Sequence, residues 1–200
     1  AVYITKRFDL MPDGSKTQME DFASLIGKTE VADGMYYKYE GCYEDIAIAI
    51  KRFVAAWPIA VERFFSLVVF NYVYGNGDAH LKNCSLHRIN GEFVLAPAYD
   101  LMNTSLHIDG DDFALNGGLL RSGWRSEAFD RTGHPCREDF EAFGEQIGVK
   151  NNRLTAILDN YTIIPPKALQ LVEHSFLDKK NKRMYLRIVE ERISRFKRLG

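Results

Sequence analysis

The chain has 200 residues, of which 46% are hydrophobic and 12% aromatic, and its formal net charge is −1. This composition is typical of a folded globular protein and excludes an intrinsically disordered chain. The small net charge gives no electrostatic indication of direct binding to nucleic acid or to a membrane. The apolar run 64–73 is too short to cross a bilayer, so we expect neither a membrane span nor a signal peptide. Three widely spaced cysteines without a CxxC pair indicate reduced thiols and a cytoplasmic location.

The first half of the chain predicts one strand and three helices. Residues 1–10, AVYITKRFDL, alternate apolar and polar side chains and predict a short strand. Residues 17–27 and 43–55 have helical spacing of apolar side chains, although the IAIAI run in the second is also compatible with a strand. A long helix begins near Pro58 and runs through an almost wholly apolar stretch to Gly75. A helix without a polar face is expected at the centre of a core.

The second half predicts a hairpin, an irregular segment and four helices. The stretch CSLHRINGEFVLAP predicts two short strands joined by a turn at Asn90 and Gly91. Residues 107–133 are rich in Gly and Asp and predict an irregular, exposed segment. The four helices are expected at 137–148, 151–160, 166–177 and 180–200. We interpret the many basic residues of the last helix as a solvated face opposite an apolar stripe, rather than as a nucleic-acid patch.

The loop GNGDAHLKN, between the long helix and the hairpin, carries the residues that point to chemistry. Asp78 and Asn83 have the D-x-x-x-x-N spacing that protein kinases use to place a catalytic Asp and a metal-binding Asn on one loop. The hairpin then leads to PAYD, which ends in Asp100. An Asp can orient or deprotonate an attacking hydroxyl, and amide and carboxylate oxygens are suitable ligands for Mg²⁺. Lys82 would add positive charge near a transferring phosphoryl group.

Each of these features also has a purely structural interpretation. Residues 75–78 alone would be read as a helix end and turn. His80 alone is more often a structural hydrogen-bonding residue, Asp100 could cap a helix, and Tyr99 could be a core aromatic residue. The order of helix, loop, hairpin and second Asp is more specific than any single feature and favours phosphoryl transfer.

The sequence resembles a known family along most of its length. FNYVYGNGDAHLKNCSL and GEFVLAPAYDLMNT resemble the kinase core of HipA-type toxins, a family of bacterial Ser/Thr protein kinases, and so do VYITKRFD, QMEDFASLIG, YYKYEG and DDFALNGG. The resemblance implies a mainly α, protein-kinase-like C-terminal lobe over residues 1–200. It also implies a hinge strand at 1–10, a catalytic helix, loop and β-hairpin at 58–104, and a C-terminal helical region at 134–200.

The resemblance also implies cofactors and residue roles. The cofactors are ATP and Mg²⁺. The implied site consists of Asp78 as the catalytic base with Lys82 beside it, Asn83 and Asp100 as Mg²⁺ ligands, and Lys6, Phe8, His80 and Tyr99 at the nucleotide. The family has an acidic residue where this chain has Lys6.

The function implied by the resemblance is ATP-dependent phosphorylation of a protein Ser or Thr by the toxin of a toxin–antitoxin pair. The implied protein substrate is an aminoacyl-tRNA synthetase, and the implied partner is a small DNA-binding antitoxin. Two alternatives stay open: a catalytically inactive partner-binding module, and a small-molecule phosphotransferase of the aminoglycoside type.

The sequence lacks part of the usual kinase machinery. It contains no G-x-G-x-x-G phosphate loop and no strand lysine of the kinase type. We therefore expect most of the N-terminal lobe to lie upstream, to come from a partner, or to have been lost. On this expectation, the 200 residues alone are not a competent kinase.

Overall fold

The structure is a computed structural model that describes residues 4–108 and 110–197. It is mainly helical, with one small antiparallel sheet. The helices are α1 (Phe22–Leu25), α2 (Glu30–Asp33), α3 (Tyr43–Phe53), α4 (Trp57–Val73), α5 (Glu127–Thr132), α6 (Arg137–Gln146), α7 (Asn151–Asp159), α8 (Pro166–His174) and α9 (Lys179–Ser194). The strands are β1 (Met19–Asp21), β2 (Ser85–Ile89) and β3 (Glu92–Leu95), and short 3₁₀ helices cover Tyr37–Tyr39 and Leu81–Asn83.

Helix α4 is the central element of the core. Its side chains at Val61, Phe65 and Val69 are fully buried, and α3, α7 and α9 pack around it. Burial of such a side chain stabilises the fold by roughly 1.5–3 kcal/mol. Gly75, two residues after the last helical residue, terminates the helix with a φ of +76°, in the left-handed region that favours glycine. The predicted central helix is confirmed, and its end leads directly into the loop that carries Asp78.

The predicted hairpin is also confirmed. Strands β2 and β3 pair antiparallel, with Leu86 opposite Leu95. Asn90 and Gly91 both have positive φ, 51° and 88°, as a two-residue hairpin turn of this type requires. The hairpin reverses the direction of the chain and returns it toward the loop that carries Asp78. The segment that ends at Asp100 follows directly after β3.

Two predictions for the first 27 residues are wrong. The hinge strand expected at 1–10 is not formed by residues 4–10, which make only an isolated bridge between Leu10 and Lys16; residues 1–3 lie outside the described part. The helix expected at 17–27 is a strand in its first part, because residues 19–21 pair with the free edge of β2. Helix α1 starts only after Asp21, whose side chain accepts a hydrogen bond from the Ser24 amide.

The segment 107–133 is less exposed than predicted. Leu115, Leu119 and Leu120 are buried in the core, and α5 lies within the segment. The buried part packs on the first turn of α3, where the Tyr43 amide donates to the Gly118 carbonyl at 3.0 Å. The first backbone amides of a helix have no acceptor within the helix and donate readily to such carbonyls, and sequence periodicity does not reveal these contacts.

The predicted C-terminal helices are confirmed as α6 to α9. Each ends within a few residues of its predicted end, except that α9 ends at Ser194 rather than at 200. On α9, Val189 is buried, as are Ile193 and the following Phe196, in agreement with the predicted apolar face. Leu199, also assigned to that face, lies outside the described residues.

Candidate active site

The loop between α4 and β2 is held from two sides. The Gly77 amide donates to Thr104 Oγ1 at 2.8 Å, and the Tyr43 hydroxyl donates to the Ala79 carbonyl at 3.1 Å. Thr104 follows the predicted metal ligand Asp100 in the chain, whereas Tyr43 belongs to α3. The backbone around Asp78 is therefore fixed by both the core and the downstream segment.

Asn83 connects the two predicted acidic site residues. Its Nδ2 donates to the Asp78 carbonyl oxygen at 3.0 Å and to Asp100 Oδ2 at 3.0 Å. Among the described residues, no donor reaches Asn83 Oδ1 or Asp100 Oδ1. An amide oxygen of Asn83 and a carboxylate oxygen of Asp100 thus remain without a donor, on side chains that are hydrogen-bonded to each other, and oxygen donors of this kind suit Mg²⁺. The residues present fit a divalent cation that takes its remaining ligands from phosphates and water.

Asp100 has an unusual backbone conformation. Its φ is +55°, a region that costs a non-glycine residue about 1–2 kcal/mol. Asn76 Nδ2 donates to the Asp100 carbonyl oxygen at 3.3 Å and to the buried Asn71 Oδ1 at 3.1 Å. A strained residue held by neighbouring hydrogen bonds is typical of functional sites.

The side chain of Asp78 is partly buried and is bound through one oxygen. Its Oδ1 accepts a hydrogen bond from the Tyr39 hydroxyl at 2.9 Å. Within the described residues, Oδ2 has no hydrogen-bond donor. One carboxylate oxygen is therefore available to a substrate hydroxyl.

His80 is buried and serves the loop itself. Its Nδ1 accepts a hydrogen bond from the Lys82 amide at 3.2 Å, and its ring meets the edge of Tyr39 with centroids 5.2 Å apart. Burial, together with the positive charge of Lys38, lowers the pKa of His80 and favours the neutral ring. These contacts are those of a capping residue for the 3₁₀ helix Leu81–Asn83. Its contact with a nucleotide stays a prediction.

Lys82 pairs with a carboxylate outside the Asp78–Asp100 pair. Its Nζ lies 2.7 Å from Asp21 Oδ2, at the junction of β1 and α1. The hydrogen bond from Lys82 to Asp21 raises the pKa of Lys82. Burial opposes ionisation of Asp21, but the hydrogen bonds from Lys82 and the Ser24 amide leave the pKa of Asp21 below its ordinary value. The structure therefore places Lys82 in an ion pair that a catalytic role would require it to leave.

Three of the four predicted nucleotide residues line one cleft together with Asp100, and His80 is not among its lining residues. Lys6, Phe8, Tyr99 and Asp100 contribute to a cleft of about 590 Å³, a size common for small-molecule sites. The rings of Phe8 and Tyr99 lie 6.0 Å apart. Four of the predicted site residues thus meet at one place, although residues 4–10 reach it without forming the expected strand.

Tyr99 connects this cleft to the catalytic loop. Its hydroxyl donates to the Lys82 carbonyl oxygen at 2.7 Å and also bonds to Ser85 Oγ. Burial raises the pKa of Tyr99 to about 12, so the phenol keeps its proton and its role as a donor. These two hydrogen bonds hold the Tyr99 ring against the start of β2, next to Asp100.

Sequence reasoning missed two residues of the site, Tyr39 and Asn76. Tyr39 lies 39 residues before Asp78, so no local spacing connects them. Asn76 stands two residues before Asp78 in the loop GNGDAHLKN, and this position was the available signal. Its contact with the Asp100 carbonyl depends on the return of the hairpin.

Similarity to known proteins identifies the family of this chain. A family model described as the HipA-like C-terminal domain matches residues 1–167. The chain belongs to the HipA-like C-terminal domain family. Two proteins of Sinorhizobium fredii (strain NBRC 101917 / NGR234) are similar to the HipA-like chain: "Putative kinase Y4dM", 38% identical over 110 residues, and "Putative kinase Y4mE", 30% identical over 114 residues. These matches cover 54% and 53% of this chain but only 25% and 26% of the relatives.

A solved structure has the same fold. It is the "Shewanella oneidensis MR-1 Toxin Antitoxin System HipA, HipB and its operator DNA complex", with a TM-score of 0.66 and 19% identity. The match covers 95% of this HipA-like chain and 47% of the solved chain. The resemblance to HipA-type kinases and the mainly α, kinase-lobe fold are therefore confirmed. The chain spans less than half of the solved relative.

The comparisons establish a kinase-like family, in which use of ATP is general. They do not assign individual site residues. Within the described ranges, the structure holds no helix that is both long and apolar enough to span a membrane.

Proposed function

We propose that the protein containing this chain transfers the γ-phosphoryl group of ATP, with Mg²⁺, to a Ser or Thr hydroxyl of another protein. The observation that carries the proposal is the bridge made by Asn83, whose amide contacts both Asp78 and Asp100. The bridge joins the Asp78 backbone to the Asp100 carboxylate, which supports a site where Asp78 Oδ2 meets the substrate hydroxyl and the oxygens of Asn83 and Asp100 bind the cation.

Each residue has a distinct task in the proposed reaction. Asp78 accepts a hydrogen bond from the substrate hydroxyl through Oδ2, orients it, and takes its proton. Asn83 and Asp100 hold the cation through their free oxygens. The cleft with Phe8 and Tyr99 takes the nucleotide base. Mg²⁺ bound there would offset the negative charge of the phosphates, which is the largest demand of phosphoryl transfer.

The proposal extends to partners. The solved structure with the same fold is, by its title, a complex of HipA with HipB and operator DNA. By analogy, we propose a DNA-binding antitoxin as partner, an aminoacyl-tRNA synthetase as protein substrate, and action in the cytoplasm. This part rests on fold similarity and family membership alone.

The proposal is tested by comparing variants of the full-length protein in a labelled-ATP transfer assay. Loss of a general base costs about 10²- to 10⁴-fold in rate, so we expect Asp78→Asn to lower kcat by that amount while Mg²⁺-dependent ATP binding persists. Asp100→Ala should lower both transfer and Mg²⁺-dependent ATP binding. Asp130→Asn, at an exposed position on α5, is the matched control and should be unchanged.

Three results would contradict the proposal. Normal transfer by Asp78→Asn would remove the role of the base. Absence of Mg²⁺·ATP binding in the full-length wild type would favour an inactive partner-binding module. Transfer to aminoglycosides instead of protein would favour the small-molecule phosphotransferase.

A further inference from the structure

Tyr39 contacts the proposed catalytic base from a distant part of the chain. Its hydroxyl donates to Asp78 Oδ1 at 2.9 Å. The other hydrogen bonds of Asp78 involve its backbone: its amide donates to Asn76 Oδ1, and its carbonyl accepts from Asn83 Nδ2 and from the His80 amide. Within the described part of the chain, Tyr39 is therefore the one side chain that orients the Asp78 carboxylate.

The backbone and the ring of Tyr39 are both held in place. The Tyr39 carbonyl oxygen accepts a hydrogen bond from the Asn116 backbone amide at 3.0 Å, and the Tyr39 amide donates to the Tyr36 carbonyl at 2.9 Å. The edge-on contact with His80 fixes one side of the ring, and the ammonium group of Lys38 lies 4.9 Å from its centroid. A ring with these contacts can hold a carboxylate in one orientation.

The protonation state of Tyr39 suits a donor. Burial, and then the hydrogen bond to Asp78, raise the pKa of Tyr39. The phenol therefore stays protonated at neutral pH and keeps its hydrogen bond. A hydrogen bond to a carboxylate is charge-assisted and stronger than one between neutral groups.

We propose that Tyr39 is a positioning residue of the phosphoryl-transfer site, which holds Asp78 through Oδ1 so that Oδ2 faces the substrate hydroxyl. The proposal rests on the proposed function, because it takes Asp78 as the base. A fixed carboxylate avoids the loss of rate that accompanies a misplaced reacting group. Removing the phenol should therefore affect the chemical step and leave nucleotide binding unchanged.

The test is Tyr39→Phe in the full-length protein, with Tyr36→Phe as the matched control. Tyr36 is a neighbouring tyrosine that is 65% exposed. We expect Tyr39→Phe to lower kcat about tenfold without changing the KM for ATP. Tyr36→Phe should match the wild type in every measurement.

A second variant tests the same hydrogen bond without removing the phenol. Replacement of Tyr39 by 3,5-difluorotyrosine gives a phenol that ionises closer to neutral pH. Above that pH the donor is lost and two negative charges face each other, so a new alkaline fall in kcat should appear. Thermal unfolding of both variants reports whether the fold is intact.

The outcomes separate this proposal from the proposed function. If Asp78→Asn is active, the proposed function fails. If Asp78→Asn is inactive but Tyr39→Phe has wild-type kcat, only the positioning role is wrong. A faster Tyr39→Phe enzyme would also overturn it, because the phenol would then be occupying the place of the substrate hydroxyl.

Discussion

The ion pair between Lys82 and Asp21 joins a residue of the catalytic loop to the start of α1. The Lys82 side chain is 41% exposed, and pairs at such exposure contribute only about 0.2–1 kcal/mol. Asp21 has a second task, because its other oxygen caps α1 through the Ser24 amide. Lys82 can therefore leave Asp21 at small cost when a phosphate is bound nearby.

Two substitutions separate the roles of this pair. Lys82→Met should lower kcat about tenfold if the ammonium group stabilises the transferring phosphoryl group. Asp21→Asn retains a side chain that caps a helix well, so we expect unchanged kcat and a loss of about 0.5 kcal/mol in the free energy of unfolding. Steady-state kinetics and urea unfolding measure both. Equal losses of kcat in the two variants would indicate that Lys82 acts only through its contact with Asp21.

At the scale of single residues, the sequence predicted those site residues that lie close together in the chain. Asp78 and Asn83 share one loop, and the Asn90–Gly91 turn indicates that the chain reverses direction before Asp100. The Tyr39 contact was not predictable, because it depends on how a distant 3₁₀ helix packs. For the same reason, the ion pair of Lys82 with Asp21 was not foreseen.

The turn that presents Tyr39 lies against the loop at 115–118. The Gly117 amide donates to the Gly41 carbonyl at 2.9 Å, and a Cβ on Gly117 would lie 2.7 Å from that oxygen. Because the obstructing atom belongs to the backbone, any side chain at position 117 would displace one of the two loops. The position of Tyr39 therefore depends on a glycine almost 80 residues downstream.

We expect Gly117→Ala to lower kcat about three- to tenfold by moving the turn that carries Tyr39. Gly110→Ala is the matched control, because a Cβ at that position meets no atom of the described residues within 4 Å, its chain neighbours apart. The kcat of both variants and their thermal midpoints provide the measurement. If Gly117→Ala keeps wild-type kcat, the two loops are coupled less closely than their contact indicates.

The elements that sequence patterns predicted well were those with their own periodicity. Helices α3, α4, α6 and α7 were predicted within about two residues, because their apolar spacing reports the face that packs. Strand β1 was missed because it is a strand only by pairing with the edge of β2. The hinge strand was wrongly predicted at 1–10. Its apolar and polar residues alternate, but residues 4–10 find no strand to pair with.

The last helix, α9, connects three parts of the molecule through one buried arginine. Arg192 is 7% exposed, donates to the Tyr72 carbonyl oxygen of α4, and pairs with Asp112 at 3.2 Å. Its guanidinium also lies over the ring of Tyr72, 5.1 Å from the centroid. The core helix, the segment following Asp100 and the C-terminal helix are joined at this residue.

Arg192→Met should destabilise the whole domain, because it leaves the carboxylate of Asp112 with less compensation in a largely buried place. Breaking one partner of a buried pair costs about 3–5 kcal/mol. For a domain of this size, that corresponds to a fall of about 6–20 °C in thermal midpoint. Arg187→Met, at an exposed position on the same helix, should have little effect. Circular dichroism melts compare them, and an Arg192→Met midpoint equal to that of the wild type would show that the pair contributes no net stability.

The fold class of the whole molecule could be predicted because the order of helix, loop, hairpin and Asp is characteristic of kinases. The contacts of Arg192 could not be predicted, because the many basic residues of α9 do not indicate which one is buried. The basic face was interpreted as solvated, which holds for Lys179, Lys180, Arg183 and Arg187 but not for Arg192.

The left-handed backbone at Asp100 has an evolutionary consequence. Glycine would adopt φ +55° without strain, so a mutation to glycine there would favour folding while deleting the carboxylate. Under the proposed role of Asp100 as a cation ligand, stability and activity therefore favour different residues at this one position. On that proposal, a homologue without catalysis would be free to acquire glycine there, so the residue at this position would distinguish active kinases from inactive ones.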